Sequence, residues 1–255
     1  MSSEASSAVG GIGDAFRAYA KQLDAVNERR ERLVKASRDV TIASKKVIFA
    51  VHRLPADGAG GGAEEAALGQ AEKDLQLIRK TSIKRVAQEL QDEDYWRFSR
   101  AFSPGMQEYV EATAVLHYAK TGRLLTYAEA NAELSEVQDA GGQAFRLSAA
   151  DYLLGITDLT GEVMRLAISS VAAGNKGAAA SMAAFVGAVY EGFHVVPMVA
   201  ELRRDLAKKL EVMRSSLVKI ETASYMVHVR GSEYPEQFLA ERLAEAPEDR
   251  LDPDM

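Results

Sequence analysis

Between Phe16 and Leu54, apolar residues recur at Phe16, Tyr19, Leu23, Val26, Leu33, Val40, Val47, Val51 and Leu54, in steps of three, four or seven. That spacing places all of them on one stripe of an α-helix, and the period-two alternation of a strand cannot reproduce it. A helix this long draws its stability from packing the stripe against other helices, so the chain is committed to a bundle. Pro55 and the following "ADGAGGG" end the helix in a Gly-rich linker, residues 56–63. These glycines are not a phosphate-binding loop, because no strand precedes them and no Lys-Ser/Thr pair follows.

The rest of the chain repeats the theme. A second helix is predicted over about 64–90. The acidic "DED" at Asp92–Asp94 is placed to cap a third, which carries "SPGMQEYVEATAVLHYAK" (103–120). Pro104 falls within that third segment. It either kinks the helix or occupies its first position behind a Ser103 N-cap. Thr126 and Glu129 have capping-box spacing and open a short helix to about Val137. Ser148 caps a helix over about 149–173 that Gly174-Asn175 stops, and another spans about 178–192. In the last, Leu206, Leu210, Met213, Leu217, Ile220, Ser224 and Val227 alternate steps of four and three. No segment reads as a strand. The expected fold is all-α, about seven helices in an antiparallel long-helix bundle over 14–232. A flexible N-terminus (1–13), a loop (138–147) and an acidic C-terminal tail (233–255) complete the organisation.

Composition narrows the chemistry. At 255 residues and 47% hydrophobic content the chain can bury a sizeable core. It contains no cysteine, which excludes disulfides, thiolate zinc sites, iron–sulfur clusters and a cysteine nucleophile. No apolar run is long enough to span a membrane, and "MSSEASSAVGGIGD" has no signal-peptide core, so an intracellular, soluble protein is expected. A net charge of −6 argues against nucleic-acid binding through bulk charge, though not against a segregated basic surface. The basic pairs Arg29-Arg30, Lys45-Lys46, Lys84-Arg85, Arg203-Arg204 and Lys208-Lys209 each read as solvated helix faces.

Two helices carry paired acids beside their apolar stripes. In the third, Glu108 and Glu111 lie three residues apart. In the helix opening near Ala149, the stripe of Tyr152, Ile156, Leu159, Val163 and Leu166 is flanked by Asp158 and Glu162, one turn apart. Gly155, one turn before Asp158, leaves room for a ligand or another helix to come close. Such carboxylates suit a hard divalent cation such as Mg2+ or Mn2+, which could serve phosphodiester hydrolysis. They also suit a solvated charged stripe. A di-iron site is disfavoured, since it wants Glu-x-x-His twice and positions 111 and 161 are Glu and Gly. A glycosidase could use two carboxylates, but 7% aromatic content leaves little to stack on a sugar. The four histidines, His52, His117, His194 and His228, are scattered and read as packed or surface residues.

Five stretches give the chain a family likeness: "ERLVKASRDVTIASKKVIFAVHR" (31–53), "VAQELQDEDYWRFSRAFSPGMQEYVEA" (86–112), "DYLLGITDLTGEVMRLAISSV" (151–171), "VYEGF" (189–193) and "KIETASYMVHVRGSE" (219–233). They resemble the translin superfamily, and "QEYVEA" with "DLTGE" resembles its translin-associated, catalytic members rather than translin itself. The resemblance implies a seven-helix fold and assembly with translin into a hollow hetero-octamer, the component 3 promoter of RISC. It implies a Mg2+-dependent endoribonuclease acting on single-stranded RNA, with single-stranded DNA a further ligand. Implied substrates are the passenger strand of small interfering RNA or fragments from tRNA processing, in cytoplasm and nucleus. The family's catalytic acids fall on Glu108, Glu111, Asp158 and Glu162. Of these, Glu108, Glu111 and Asp158 are expected to hold the metal, and Glu162 to orient the attacking water. Arg97, Arg100 and Arg165 are candidate phosphate contacts, with a surface or salt-bridging role the alternative. Pro104 departs from the family pattern. The competing expectation is a non-catalytic nucleic-acid-binding or scaffold partner of translin.

Overall fold

The structure, a computed structural model, describes residues 2–54, 61–90, 94–139, 141–197 and 200–230. Among these residues the chain forms seven continuous helices and no strand beyond one isolated bridge, Gln138 to Ala144. They are α1 (Ser2–His52), α2 (residues 61–89), α3 (Asp94–Thr121), α4 (Tyr127–Leu134), α5 (Ala149–Ala172), α6 (Lys176–Phe193) and α7 (Ala200–Arg230). The all-α, seven-helix expectation holds. None of these helices is long and apolar enough to cross a membrane. Residues 56–60 of the linker, Asp92 and Glu93 of the expected cap and the tail 233–255 lie outside the described residues, as do the side chains of Arg203, Arg204, Val227 and His228.

Helix α1 packs mainly on α3, α3 on α5, and α5 on α6 and α7, while α2 lies along α1. The α1 stripe enters the core at Leu33, Val40, Val47 and Val51, all essentially solvent-free. Its earlier members do not: Phe16, Tyr19 and Leu23 are each more than half exposed, with Ile12 ahead of them. Among the described side chains, the long helix therefore packs along its C-terminal part. Leu206, Met213 and Ile220 of α7 are fully buried, as their spacing requires.

The capping signals are realised. Thr126 and Glu129 form a reciprocal capping box, and Ser148 caps α5 by accepting from the Asp151 amide. Gly174, with φ +79°, follows the end of α5. Helix α2 contains a π turn at Arg79–Ile83 that nothing in the sequence signalled. Arg79, at its start, donates to the Tyr109 hydroxyl (2.9 Å) and to Glu133 (2.6 Å).

Pro104 does not open a helix. Helix α3 starts ten residues earlier at Asp94 and runs through it, so the Ser103 N-cap alternative fails. Ser103 and Gln107 instead bind the Asp151 carboxylate of α5, Gln107 at 3.3 Å. The next residue, Gly105, sits against α1, where its amide donates to Ser37 Oγ (3.0 Å) and the Ser37 hydroxyl donates to the Phe102 carbonyl (3.2 Å). A Cβ on Gly105 would lie 2.6 Å from the Ser37 carbonyl oxygen, so only glycine permits this backbone approach.

A four-carboxylate cleft between α1, α3, α5 and α7

The second close approach builds the site. A Cβ on Gly155 would fall 2.7 Å from Val110 Cβ and 2.8 Å from the Gln107 carbonyl oxygen. The room left by Gly155 is thus filled by helix α3, not by a ligand. This seat brings the Glu108/Glu111 face of α3 beside the Asp158/Glu162 face of α5. Together they line a cleft of about 540 Å³, whose other walls are Lys45, Ile48 and Phe49 of α1, Thr157, Gly161 and Arg165 of α5, and Lys209 and Val212 of α7.

The four acids differ sharply in environment. Glu111 is buried, and its pKa is pushed up to about 8, first by burial and then by the negative charges of Asp158, Glu108 and Glu162. Glu162 is equally buried. Burial alone would raise its pKa, but the hydrogen bond with His52 and the charge and hydrogen bond of Arg165 outweigh it. Its carboxyl therefore titrates below the usual carboxylate range. His52 Nε2 lies 2.5 Å from one Glu162 oxygen and Arg165 donates to the other. Asp158, the most exposed of the four, is paired with Lys209, whose ammonium also donates to the Leu154 carbonyl at 3.1 Å. Glu108 Oε1 lies 3.3 Å from Lys45, while Glu108 Oε2 is buried with no hydrogen-bond partner.

A hard divalent cation fits this donor set. All donors are oxygens, one buried oxygen lacks a partner, and burial, reinforced by the neighbouring carboxylates, favours a proton on Glu111 that a cation would displace. As the side chains stand, however, no group of three His, Asp or Glu residues among the described ones is set to hold a metal. The reason is visible in the contacts: Asp158, Glu162 and Glu108 are each turned toward a base.

Arg165 joins the cleft, but Arg97 and Arg100 do not line it. Both are exposed on α3, Arg97 with its guanidinium 5.5 Å from the Phe98 ring centre. The cleft also uses residues that sequence reading set aside. His52 read as scattered, and Lys45 and Lys209 as solvated pairs. Lys45, Phe49 and His52 follow one another by four and three residues, so they share a face of α1 beside its core stripe. That spacing was the available signal. Lys209 had none.

Comparison with known proteins agrees with this fold. The sequence profile of the Translin family matches residues 28–231. Translin-associated protein X of Pongo abelii is 38% identical over 244 residues, covering 89% of this chain and 82% of that protein. The Mus musculus protein of the same name is 37% identical over the same coverage. Among solved structures, the AfC3PO–duplex RNA complex superposes with a TM-score of 0.61 at 22% identity, covering 86% of this chain and 100% of the matched chain.

Proposed function

The chain belongs to the translin family, and from that membership we propose that it is the catalytic subunit of a translin–Trax complex, a Mg2+-dependent endoribonuclease that cleaves single-stranded RNA. The observation that carries this reading is the convergence of two carboxylate pairs, from α3 and α5, on one open cleft. Relatives named translin-associated protein X (Trax) support it. Glu108, Glu111 and Asp158 would hold Mg2+ or Mn2+. The bound ion supplies Lewis-acid stabilisation of the charge that develops at phosphorus. Glu162, kept ionised by His52 and Arg165, accepts the proton of the attacking water. Arg165, largely exposed at the cleft, contacts phosphate, and Arg97 and Arg100 contact the strand farther along α3. Translin, in a hetero-octamer, is the partner. The substrates are the passenger strand of small interfering RNA or fragments from tRNA processing, in cytoplasm and nucleus.

One set of contacts favours a rival, a non-catalytic scaffold whose acids serve as ion pairs: Asp158 with Lys209, Glu162 with Arg165 and Glu108 with Lys45. The translin complex carrying Glu108→Ala and Asp158→Ala separates the two. It is expected to assemble and bind single-stranded RNA while losing Mg2+-dependent cleavage. Cleavage at the wild-type rate would show that these acids do not carry the chemistry and that the site assignment is wrong.

His52→Ala tests the proton acceptor. Without the imidazole, the pKa of Glu162 rises, so the acid limb of the pH–rate profile should move to higher pH. The plateau rate should fall by roughly tenfold to a hundredfold, the usual cost of losing the group that orients a site residue. A profile that overlays the wild type would remove His52 from the mechanism.

A further inference from the structure

Three acids of the cleft each hold a base: Glu108 with Lys45, Asp158 with Lys209 and Glu162 with Arg165. A divalent cation seated on Glu108, Glu111 and Asp158 competes with the bases that already occupy its ligands. The three bases are not equivalent. Lys45 is more than half exposed, contacts Glu108 Oε1 at 3.3 Å and leaves Oε2 unpartnered, so Glu108 can ligate without losing it. Arg165 is one turn from Glu162 on the same helix and engages an acid assigned to water, not to metal. Lys209, reaching across from α7, is three-quarters buried and holds the carboxylate of an expected ligand while a helix carbonyl, Leu154 O, anchors it from behind.

Resting on the metal-site reading above, we infer that Lys209 is the resident counter-cation of Asp158 and exchanges with the divalent ion, its ammonium holding the Asp158 oxygen until the ion takes it. Two consequences follow. Removing the Lys209 charge strengthens ion binding, because Asp158 is then free. Ion binding in turn releases the Lys209 amine, which becomes more reactive toward acylating reagents.

Both can be read on the full-length chain without measuring cleavage. Mn2+ binding, followed from the free-ion EPR signal, is compared for wild type, Lys209→Met and Lys208→Met. Lys208 is the exposed neighbour and carries the same charge. Lys209→Met should bind roughly tenfold tighter, and Lys208→Met within twofold of wild type, which excludes a general charge effect. On the unaltered protein, mass spectrometry of lysine acetylation should show Lys209 labelling several-fold faster with saturating Mn2+, and Lys208 unchanged. Equal affinity in the two variants, weaker binding by Lys209→Met, or Lys209 labelling indifferent to Mn2+ would each overturn the exchange and leave the metal site standing. No Mn2+ binding in any of the three proteins would overturn the metal-site reading and the exchange together.

Discussion

Glu111→Gln is expected to stabilise the protein at pH 8 by about 4 kcal/mol in chelator-containing buffer, and to abolish stabilisation by Mn2+. Glu111 keeps its proton to about pH 8 in the folded protein, whereas the unfolded chain releases it near the ordinary value of 4.5. Between those values the native state binds the extra proton, so stability falls as pH rises. The contribution is complete below about pH 4.5 and is lost as pH passes through about 8. A gap of that size, at about 1.4 kcal/mol per unit, is worth about 5 kcal/mol in full, and somewhat less, about 4, at pH 8 where Glu111 is half ionised. Glutamine keeps the shape and hydrogen-bonding capacity of the protonated acid and never acquires the charge. Urea titrations of both proteins at pH 4 and pH 8 test this. They should coincide at pH 4 and diverge at pH 8, and parallel pH dependence would show that Glu111 is not held protonated. Saturating Mn2+ at pH 8 should raise the wild-type midpoint and leave that of Glu111→Gln unmoved. A residue at the centre of the proposed site thus costs the fold stability, as groups kept for chemistry commonly do.

The second large effect is mechanical. Gly155→Val should lower stability by roughly 3 kcal/mol, about 10 °C in melting temperature for a chain of this size. The clash is with Val110 Cβ and the Gln107 backbone oxygen, and a backbone oxygen cannot rotate away. Helices α3 and α5 would have to part, carrying Glu108 and Glu111 away from Asp158 and Glu162. Cleavage should then drop by about a hundredfold even in the folded fraction, since misplacement by an ångström suffices. Gly161→Ala, on the same helix, meets nothing within 4 Å and should stabilise slightly, by up to about 1 kcal/mol. Calorimetry of the pair separates the packing role from glycine's low helix propensity. If both substitutions behave alike, Gly155 is not a packing seat.

The sequence announced the long helices because their information is local. A stripe repeating every three or four residues, a Thr126/Glu129 box and a Ser148 cap each act within one turn or along one helix. The acid pairs were legible for the same reason, each lying on a single helix. What joins the pairs was not. Lys209 reaches Asp158 from a helix some fifty residues later in the chain, and nothing in "AKKLEV" separates it from its exposed neighbour Lys208. The room at Gly155 was visible, but whether a ligand or a helix would fill it depends on Val110 and Gln107, far away in sequence. Pro104 misled for the opposite reason. Its local preference to begin a helix is overridden because α3 is held on both sides, by Ser37 of α1 at Gly105 and by Asp151 of α5 at Ser103.

The wide separation in sequence of the cleft's walls gives the site a birth order. A chain emerging from the ribosome at about 5–20 residues per second presents Lys45 and His52 first, then Glu108 and Glu111, and only seconds later Asp158 and Glu162. Lys209 arrives last, on α7. Until α5 has been made and has seated Gly155 on α3, no second pair of carboxylates faces the first. A nascent chain that has not yet made α5 therefore holds only half of the cleft's carboxylates.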